Sequence, residues 1–143
     1  MSQRAPAHSL MTQTQDLDWL LENLVRQTPG SKHALVLSND GLRLCHTAQL
    51  GLDQADQLSA IASGIQSLSF GASMEFGTGE GGVRQSMTDF YGGVLCIVEA
   101  GHGAHLAVVA GEDADVGVLG HNMNQLVEQI GEFLSAPTRA QVP

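Results

Sequence analysis

The longest regular pattern of hydrophobic and polar positions covers residues 52–76 and has the 3.6-residue period of a helix. Its apolar stripe consists of Leu58, Ile61, Ile65, Leu68 and Ala72. A second stripe contains only small residues, Ala60, Gly64, Ser67 and Gly71, and a third is polar but uncharged: Ser59, Ser63, Gln66, Ser69 and Ser73. No ionisable side chain lies between Asp56 and Glu75. Because an exposed helix normally carries charges, we expect two buried faces, one on the chain's own sheet and one against a partner.

Two further helices and a hairpin are predicted from shorter patterns. The first helix follows a capping Asp16, is apolar on one side and ends at residues 28–30. The last helix begins near Asp115, and its apolar stripe is Val116, Leu119, Met123, Leu126, Ile130 and Phe133. Residues 33–38 and 42–47 flank Asn39-Asp40-Gly41. An Asp-Gly pair between two apolar runs is a strong hairpin signal.

Three more strands follow the long helix and complete the predicted sheet. Residues 83–91 alternate in polarity and indicate a half-exposed strand. Residues 94–100 and 105–110 are largely apolar and indicate central strands that are covered on both faces. Short glycine-containing links favour antiparallel pairing. The predicted fold class is therefore α+β, a five-stranded antiparallel sheet sandwiched by helices in the order α-β-β-α-β-β-β-α.

The length of 143 residues suits one domain, which we place at residues 14–136. Residues 1–13 are expected to be a disordered tail and residues 137–143 a C-terminal tail. The start of the chain lacks the apolar core of a signal peptide, and the long helix is too rich in Ser, Gln and Gly to span a membrane. We expect a cytoplasmic protein without direct membrane insertion, in which Cys45 and Cys96 are buried free thiols.

Acidic residues outnumber Lys and Arg by 15 to 6, which gives a net charge of −9. Lys32 is the only lysine, and the arginines are scattered. Nucleic-acid binding depends on clustered Lys and Arg, and anionic membrane surfaces attract the same residues. The charge pattern therefore disfavours both nucleic acid and a membrane surface as direct partners.

The sequence predicts no catalytic residue, no cofactor site and no metal site. Residues 77–82 match G-x-G-x-x-G, but they follow a helix and precede a strand, the reverse of a dinucleotide site. Six histidines are present without the paired spacing of a zinc site. Glu112, Asp113 and Asp115 precede the last helix, where capping and the helix dipole explain acidic residues. We therefore expect a protein that is not an enzyme.

Several segments, taken in order, resemble the bacterial branch of the Roadblock / dynein light chain family. They are HALVLSNDGLRL at residues 33–44, ADQLSAIASGIQSLSFGAS at residues 55–73, and the motifs GHGAHLAVVA and ADVGVLGHNM within residues 101–123. The resemblance extends from Asp16 to Leu134. It implies that the first and third helices lie on one face of the sheet and the second helix on the other.

The resemblance also implies how the chain associates. Members of this family form homodimers in which the third strand and the second helix meet their symmetry mates. The expected dimer interface is Ala60, Gly64, Ser67, Gly71, Val83, Gln85 and Met87. A stripe of small residues and a half-polar edge strand suit such an interface on physical grounds as well.

Relatives of this kind, including regulators of gliding motility, bind Ras-like small GTPases. Their gene sets often also encode a sensor-kinase-like protein, and the encoded proteins assemble at the membrane. The resemblance implies a non-catalytic homodimeric regulator or scaffold that binds such a GTPase and is recruited to the membrane by its partners. The expected GTPase contacts are Gln57, Ser59, Ser63, Gln66 and Ser73. The alternative is a small-ligand sensory domain of similar layout, although strands of Val, Leu and Ala favour a filled interior.

Overall fold

Three helices and five strands occur within residues 17–140, the part of the chain that the computed structural model describes. The helices are α1 (17–27), α2 (Leu52–Phe76) and α3 (Val116–Ala140). The strands are β1 (Ser31–Ser38), β2 (Arg43–His46), β3 (Gln85–Phe90), β4 (Gly93–Gly101) and β5 (Ala104–Gly111). The predicted α-β-β-α-β-β-β-α order is confirmed, and α2 has the predicted bounds.

The strands form one antiparallel sheet in the order β2-β1-β5-β4-β3. The central strand, β5, pairs with β1 on one side and with β4 on the other. Residues 34–37 of β1 are all buried and alternate between the two faces of the sheet. Helices α1 and α3 cover one face and α2 covers the other. This is the layout that the family resemblance implies.

The face under α1 and α3 contains the larger of two buried clusters. The helices contribute Leu17, Leu21, Leu24, Leu119, Met123, Leu126 and Ile130 to it. Cys45 and Cys96 lie in this cluster as free, buried thiols, as predicted. Burial, with a smaller contribution from the Asp18 carboxylate, raises the pKa of Cys45 to about 12. The Cys45 thiol is therefore protonated near neutral pH and is a poor nucleophile.

The two ends of α3 differ in how well the sequence predicts them. At its start, the Asp115 Oδ1 atom accepts hydrogen bonds from the backbone amides of Gly117 and Val118, at 2.9 and 3.2 Å. At its end, α3 continues past Pro137 to Ala140, into the residues that were expected to form a C-terminal tail. The step before a proline is a frequent helix boundary but not an obligatory one.

The expected tail at residues 1–13 and the cap at Asp16 lie outside the described residues. Within residues 17–140, no helix combines the length and the apolar character that crossing a membrane requires.

Candidate functional site

The orientation of α2 on the sheet differs from the prediction. Its buried residues are Ala55, Leu58, Ser59 and Ala62. Of the predicted apolar stripe, Leu58 is buried and Ile65 is half-buried, but Ala72 is exposed. Ile61 and Leu68 are 53% and 79% exposed. The expectation that the whole apolar stripe packs on the chain's own sheet is therefore wrong.

Polar groups with hydrogen-bond partners lie beside the buried Ala55, Leu58 and Ala62 on the inward face of α2. The Ser59 hydroxyl is buried and donates a 2.7 Å hydrogen bond to the carbonyl oxygen of Gly41. The Ser86 hydroxyl on β3 donates to Gln66 Oε1 at 3.1 Å, which leaves Ser86 Oγ to accept from the Ser69 hydroxyl at 3.3 Å. Because their hydrogen bonds are satisfied, these polar groups can be buried at little cost.

The predicted GTPase contacts on α2 are therefore divided between the surface and the interior. Gln57 is exposed and Ser63 is half-buried. Ser59 is only 1% exposed, so its side chain does not reach the surface. Gln66 is half-buried and already holds the Ser86 hydroxyl. Gln57 is the member of this set that a partner protein can reach most readily.

Ser73, the fifth predicted contact, anchors the glycine-rich loop at residues 77–82. Its hydroxyl donates to the Phe70 carbonyl oxygen at 2.6 Å and accepts from the Gly82 amide at 3.0 Å. Gly81 has a φ of +80°, and a Cβ atom there would lie 2.7 Å from Phe70 Cζ. The loop connects α2 to β3 and does not open a helix as a dinucleotide site does.

The outward side of α2 carries the stripe of small residues. Ala60, Gly64, Ser67 and Gly71 are all exposed. At Gly64 and Gly71, no atom lies within 4 Å of the position that a Cβ would take. Ile61 and Leu68 lie along one flank of this stripe at helical spacing. We call this surface the α2 outer face and define it as Ala60, Ile61, Gly64, Ser67, Leu68 and Gly71.

Strand β3 is one edge of the sheet and lies beside α2. It pairs with β4, and within residues 17–140 no strand pairs with its other edge. Gln85 and Met87 are exposed on this strand. Val83 is half-buried and belongs to the preceding loop, because β3 begins two residues later than predicted. The free edge and the α2 outer face are the two surfaces on which the predicted interface residues lie.

A cleft of about 370 Å³ opens between the C-terminal half of α2 and the sheet. It is lined by Leu37, Ser38, Asn39, Ser63, Gln66, Ser67, Phe70, Gly82, Val83, Glu99 and His105. Ser67, Phe70 and Glu99 in its lining are exposed, so the cleft is open to solvent and is not a cavity in the interior. The small and polar side chains of α2 above the strands leave this space, since serine and glutamine fill less of it than leucine or isoleucine would.

Glu99 and His105 were not predicted to share a site. They are paired across β4 and β5, and both line the cleft. Burial lowers the pKa of His105, and the Glu99 carboxylate opposes this effect only in part. Glu99 and His105 lie the same number of residues before and after His102 at the tip of the hairpin. Their pairing could therefore have been predicted from the sequence by counting outward from the turn.

Glu112 and His33 are two further titratable residues, and within the described part of the chain neither belongs to a group that could hold a metal ion. The Glu112 carboxylate accepts a 3.0 Å hydrogen bond from the Gly92 amide. The His33 Nδ1 atom is buried and has no hydrogen-bond partner among the described residues, and burial lowers the pKa of this imidazole. Within residues 17–140, no group of three or more His, Cys, Asp or Glu side chains is placed to hold a metal ion.

Comparison with known proteins gives the following matches. The model of the Roadblock/LC7 domain matches residues 17–110. A Roadblock/LC7 domain from Streptomyces avermitilis is 41% identical, with 82% of this chain and 96% of that chain covered and a TM-score of 0.78. The gliding protein MglB from Thermus thermophilus is 21% identical, with coverages of 85% and 90% and a TM-score of 0.74. An MglB with a tetrameric arrangement is 20% identical, with coverages of 90% and 92% and a TM-score of 0.76. No curated protein sequence matches.

These matches differ in what they show. At 20% and 21% identity, the likeness to the two MglB structures shows a shared fold. The family model spans the elements from α1 to β5, and the Streptomyces domain is covered almost completely at much higher identity. The chain belongs to the Roadblock/LC7 domain family.

Proposed function

We propose that this chain is a homodimeric, non-catalytic regulator or scaffold that binds a Ras-like small GTPase. The observation that carries the proposal is the α2 outer face, which exposes bulky apolar side chains beside small ones. Single exposed apolar residues are ordinary, whereas a continuous apolar surface without charges marks a protein interface. Membership of the Roadblock/LC7 family supplies the expected class of partner.

The small residues at the centre of the α2 outer face support contact with a second copy. Glycine and serine allow two helix backbones to approach closely, and around a two-fold axis the same stripe meets itself. Strand β3, with Gln85 and Met87 exposed, is the edge strand beside α2, and its free edge can pair with β3 of a second copy. A related fold with a tetrameric arrangement gives a precedent for self-association.

The flank of the α2 outer face supports contact with the GTPase. Gln57, Ile61 and Leu68 recur at the spacing of one helix side and are exposed. These positions lie only about 20–60° from Gly64 around the helix axis, so the proposed GTPase contact borders the contact with a second copy. The hydrogen bonds of Ser59, Gln66 and Ser73 place those residues behind this surface rather than on it.

The test is a pull-down from a lysate of the source organism with the purified chain as bait, in GDP or in a non-hydrolysable GTP analogue. Retained proteins are identified by mass spectrometry. The same experiment is run with Leu68→Arg on the proposed contact side and with Asn124→Arg, an exposed position on α3, as a matched control. Sedimentation of each variant reports whether the dimer persists.

We expect a small GTPase to be retained by the wild-type chain and by Asn124→Arg, and to be lost with Leu68→Arg. If Leu68→Arg is still a dimer, the loss belongs to the GTPase contact, and if it is a monomer, Leu68 belongs to the contact with the second copy. Preferential retention with the GTP analogue indicates an activator or effector platform, and equal retention in both nucleotides indicates a scaffold. Absence of any GTPase in both conditions contradicts the proposed partner. A chain that sediments as a monomer at all concentrations contradicts the proposed dimer.

A further inference from the structure

The cleft between α2 and the sheet lies beside the α2 outer face. Its lining includes Ser67 and Val83 of the predicted dimer interface and Ser63 and Gln66 of the predicted GTPase contacts, but Phe70, Glu99 and His105 belong to neither set. Its volume of about 370 Å³ is within the range of small-molecule sites, about 300–1,000 Å³. Three strands, the helix and the loop after the helix all contribute to its lining. The cleft is therefore formed by the fold as a whole and not by one loop.

The charge of the lining limits the ligands that this cleft can accept. Glu99 is the only acidic residue in the lining, and no Lys or Arg is among the lining residues. A phosphate or carboxylate ligand would face the Glu99 carboxylate without a compensating cation. The net charge of −9 on the whole chain adds to that repulsion. An anionic ligand is therefore disfavoured, and a cation is favoured.

Three further groups complement a cation with an alkyl chain. Burial keeps His105 neutral near pH 7, so one ring nitrogen is free to accept a hydrogen bond. The Phe70 ring is 49% exposed, and an aromatic face attracts a guanidinium or ammonium group. Val83, which is half-buried, supplies an apolar surface for an alkyl stem. A carboxylate, an aromatic face and an apolar surface thus occur in one cleft.

We propose that this cleft binds a small organic cation, an alkylguanidinium or alkylammonium compound. The charged group lies at Glu99, and the alkyl chain lies against Val83. The proposal requires no GTPase, so it can fail independently of the proposed GTPase binding.

The first test compares n-butylguanidinium with n-butylurea, a neutral compound of nearly the same shape, by NMR titration of the purified full chain. We expect saturable binding of the cation with a dissociation constant in about the millimolar range, as is usual for ligands of this size. The shifts should be centred on the amides of Gly82 and Val83 and on the His105 ring. The neutral compound should bind at least about tenfold more weakly, since it cannot form a charge-assisted hydrogen bond.

Two carboxylate variants test the assigned group. Glu99→Gln removes the charge and keeps the shape, and it should weaken binding of n-butylguanidinium by about tenfold or more. Glu128→Gln makes the same change at an exposed position on α3, on the other face of the sheet, and should leave binding unchanged. Glu99 is itself exposed, so the variant is expected to fold, and circular dichroism checks this.

The pH dependence gives a further readout. From α2 and β1 the cleft presents only neutral side chains to His105, so Glu99 is the titratable lining group that faces it. Because burial lowers the pKa of His105, this residue is protonated only below the usual range of histidine. Protonation places a second cation in the cleft and should weaken binding, and His105→Gln should remove this part of the dependence.

Equal binding of the cation and the urea contradicts the proposal, as does unchanged binding in Glu99→Gln. Shifts centred away from the cleft, or no saturation with n-butylguanidinium up to about 100 mM, also contradict it. The last result is the one expected if a second copy of the chain fills the cleft.

Discussion

Replacing Gly64 with alanine distinguishes a free helix face from one that packs on a second copy. In the single chain the new methyl group meets nothing, because no atom lies within 4 Å of its position. Alanine is favoured over glycine inside a helix by roughly 1 kcal/mol. If α2 faced only solvent, Gly64→Ala would therefore raise the free energy of unfolding by about this amount and have no other effect.

In a dimer formed through the α2 outer face, the same methyl group lies between two helices. Inserting one extra carbon into a packed contact costs typically 1–3 kcal/mol, and two-fold symmetry places two such groups in the interface, for roughly 2–6 kcal/mol per dimer. The gain in helix propensity is common to the free and the associated chain, so it cancels in the dissociation equilibrium. Even the lower figure raises the dissociation constant by about 30-fold.

Sedimentation equilibrium over a series of protein concentrations measures this dissociation constant, and chemical denaturation measures the free energy of unfolding. Gly120→Ala on α3 is the matched control, because its Cβ position is also open and lies in a helix on the other face of the sheet. It should bring the same gain in helix propensity and leave the dissociation constant unchanged.

If Gly64→Ala and Gly120→Ala have the same effect in both measurements, α2 is not the contact helix and the reasoning about its small residues is wrong. If Gly64→Ala weakens the dimer and Gly120→Ala does not, the glycine is retained for close approach and not for flexibility.

Three further predictions concern stability and reactivity. Gly30→Ala should lower the free energy of unfolding by about 2–4 kcal/mol in chemical denaturation, because φ is +89° and the new Cβ would lie 2.8 Å from Ala114 Cβ. Gly92→Ala, where φ is +94° but the space is open, should lower it by only about 1–2 kcal/mol. Equal losses in the two variants would show that the close contact with Ala114 is unimportant. Asp115→Ala should cost about 1 kcal/mol by removing the cap of α3, and an unchanged melting curve would contradict that role. The pKa of Cys45 is about 12 in the folded state and 9 in an unfolded chain, so the unfolded state loses the thiol proton at lower pH. The free energy of unfolding should therefore fall as pH rises above 9. Thiol reagents at pH 8 should react with Cys45 only after denaturation.

The elements and their order could be predicted because the local signals agree with one another. Residues 34–37 are apolar without interruption, and they are buried on both faces of the sheet. The Asp40-Gly41 turn lies between β1 and β2, where Gly41 adopts a φ of +85°. Asp115 caps α3 as its position before the apolar stripe indicates. Periodicity and turn chemistry act over a few residues, so the sequence contains them directly.

The rotation of α2 about its axis could not be predicted from hydrophobicity. Counting apolar residues assigns Ile61 and Leu68 to the interior, yet both are exposed. The buried position is taken by Ser59, whose hydroxyl finds an acceptor on Gly41, more than ten residues away in the sequence. A pattern of side-chain types does not show which polar groups find partners, because those partners come from other elements of the fold.

This disagreement between local pattern and structure is itself informative about function. The rotation of α2 leaves Ile61 and Leu68 exposed and loses apolar burial in the single chain, a loss that the proposed contact with another surface would recover. The same rotation leaves the cleft open, because serine and glutamine at positions 63, 66 and 67 do not fill the space above Glu99 and His105. One side of α2 is therefore the proposed contact with a protein partner, and the adjacent side lines the cleft. A ligand in the cleft contacts the helix that the partner binds, so occupancy of one site can alter the other whenever the two occupied states favour different positions of α2.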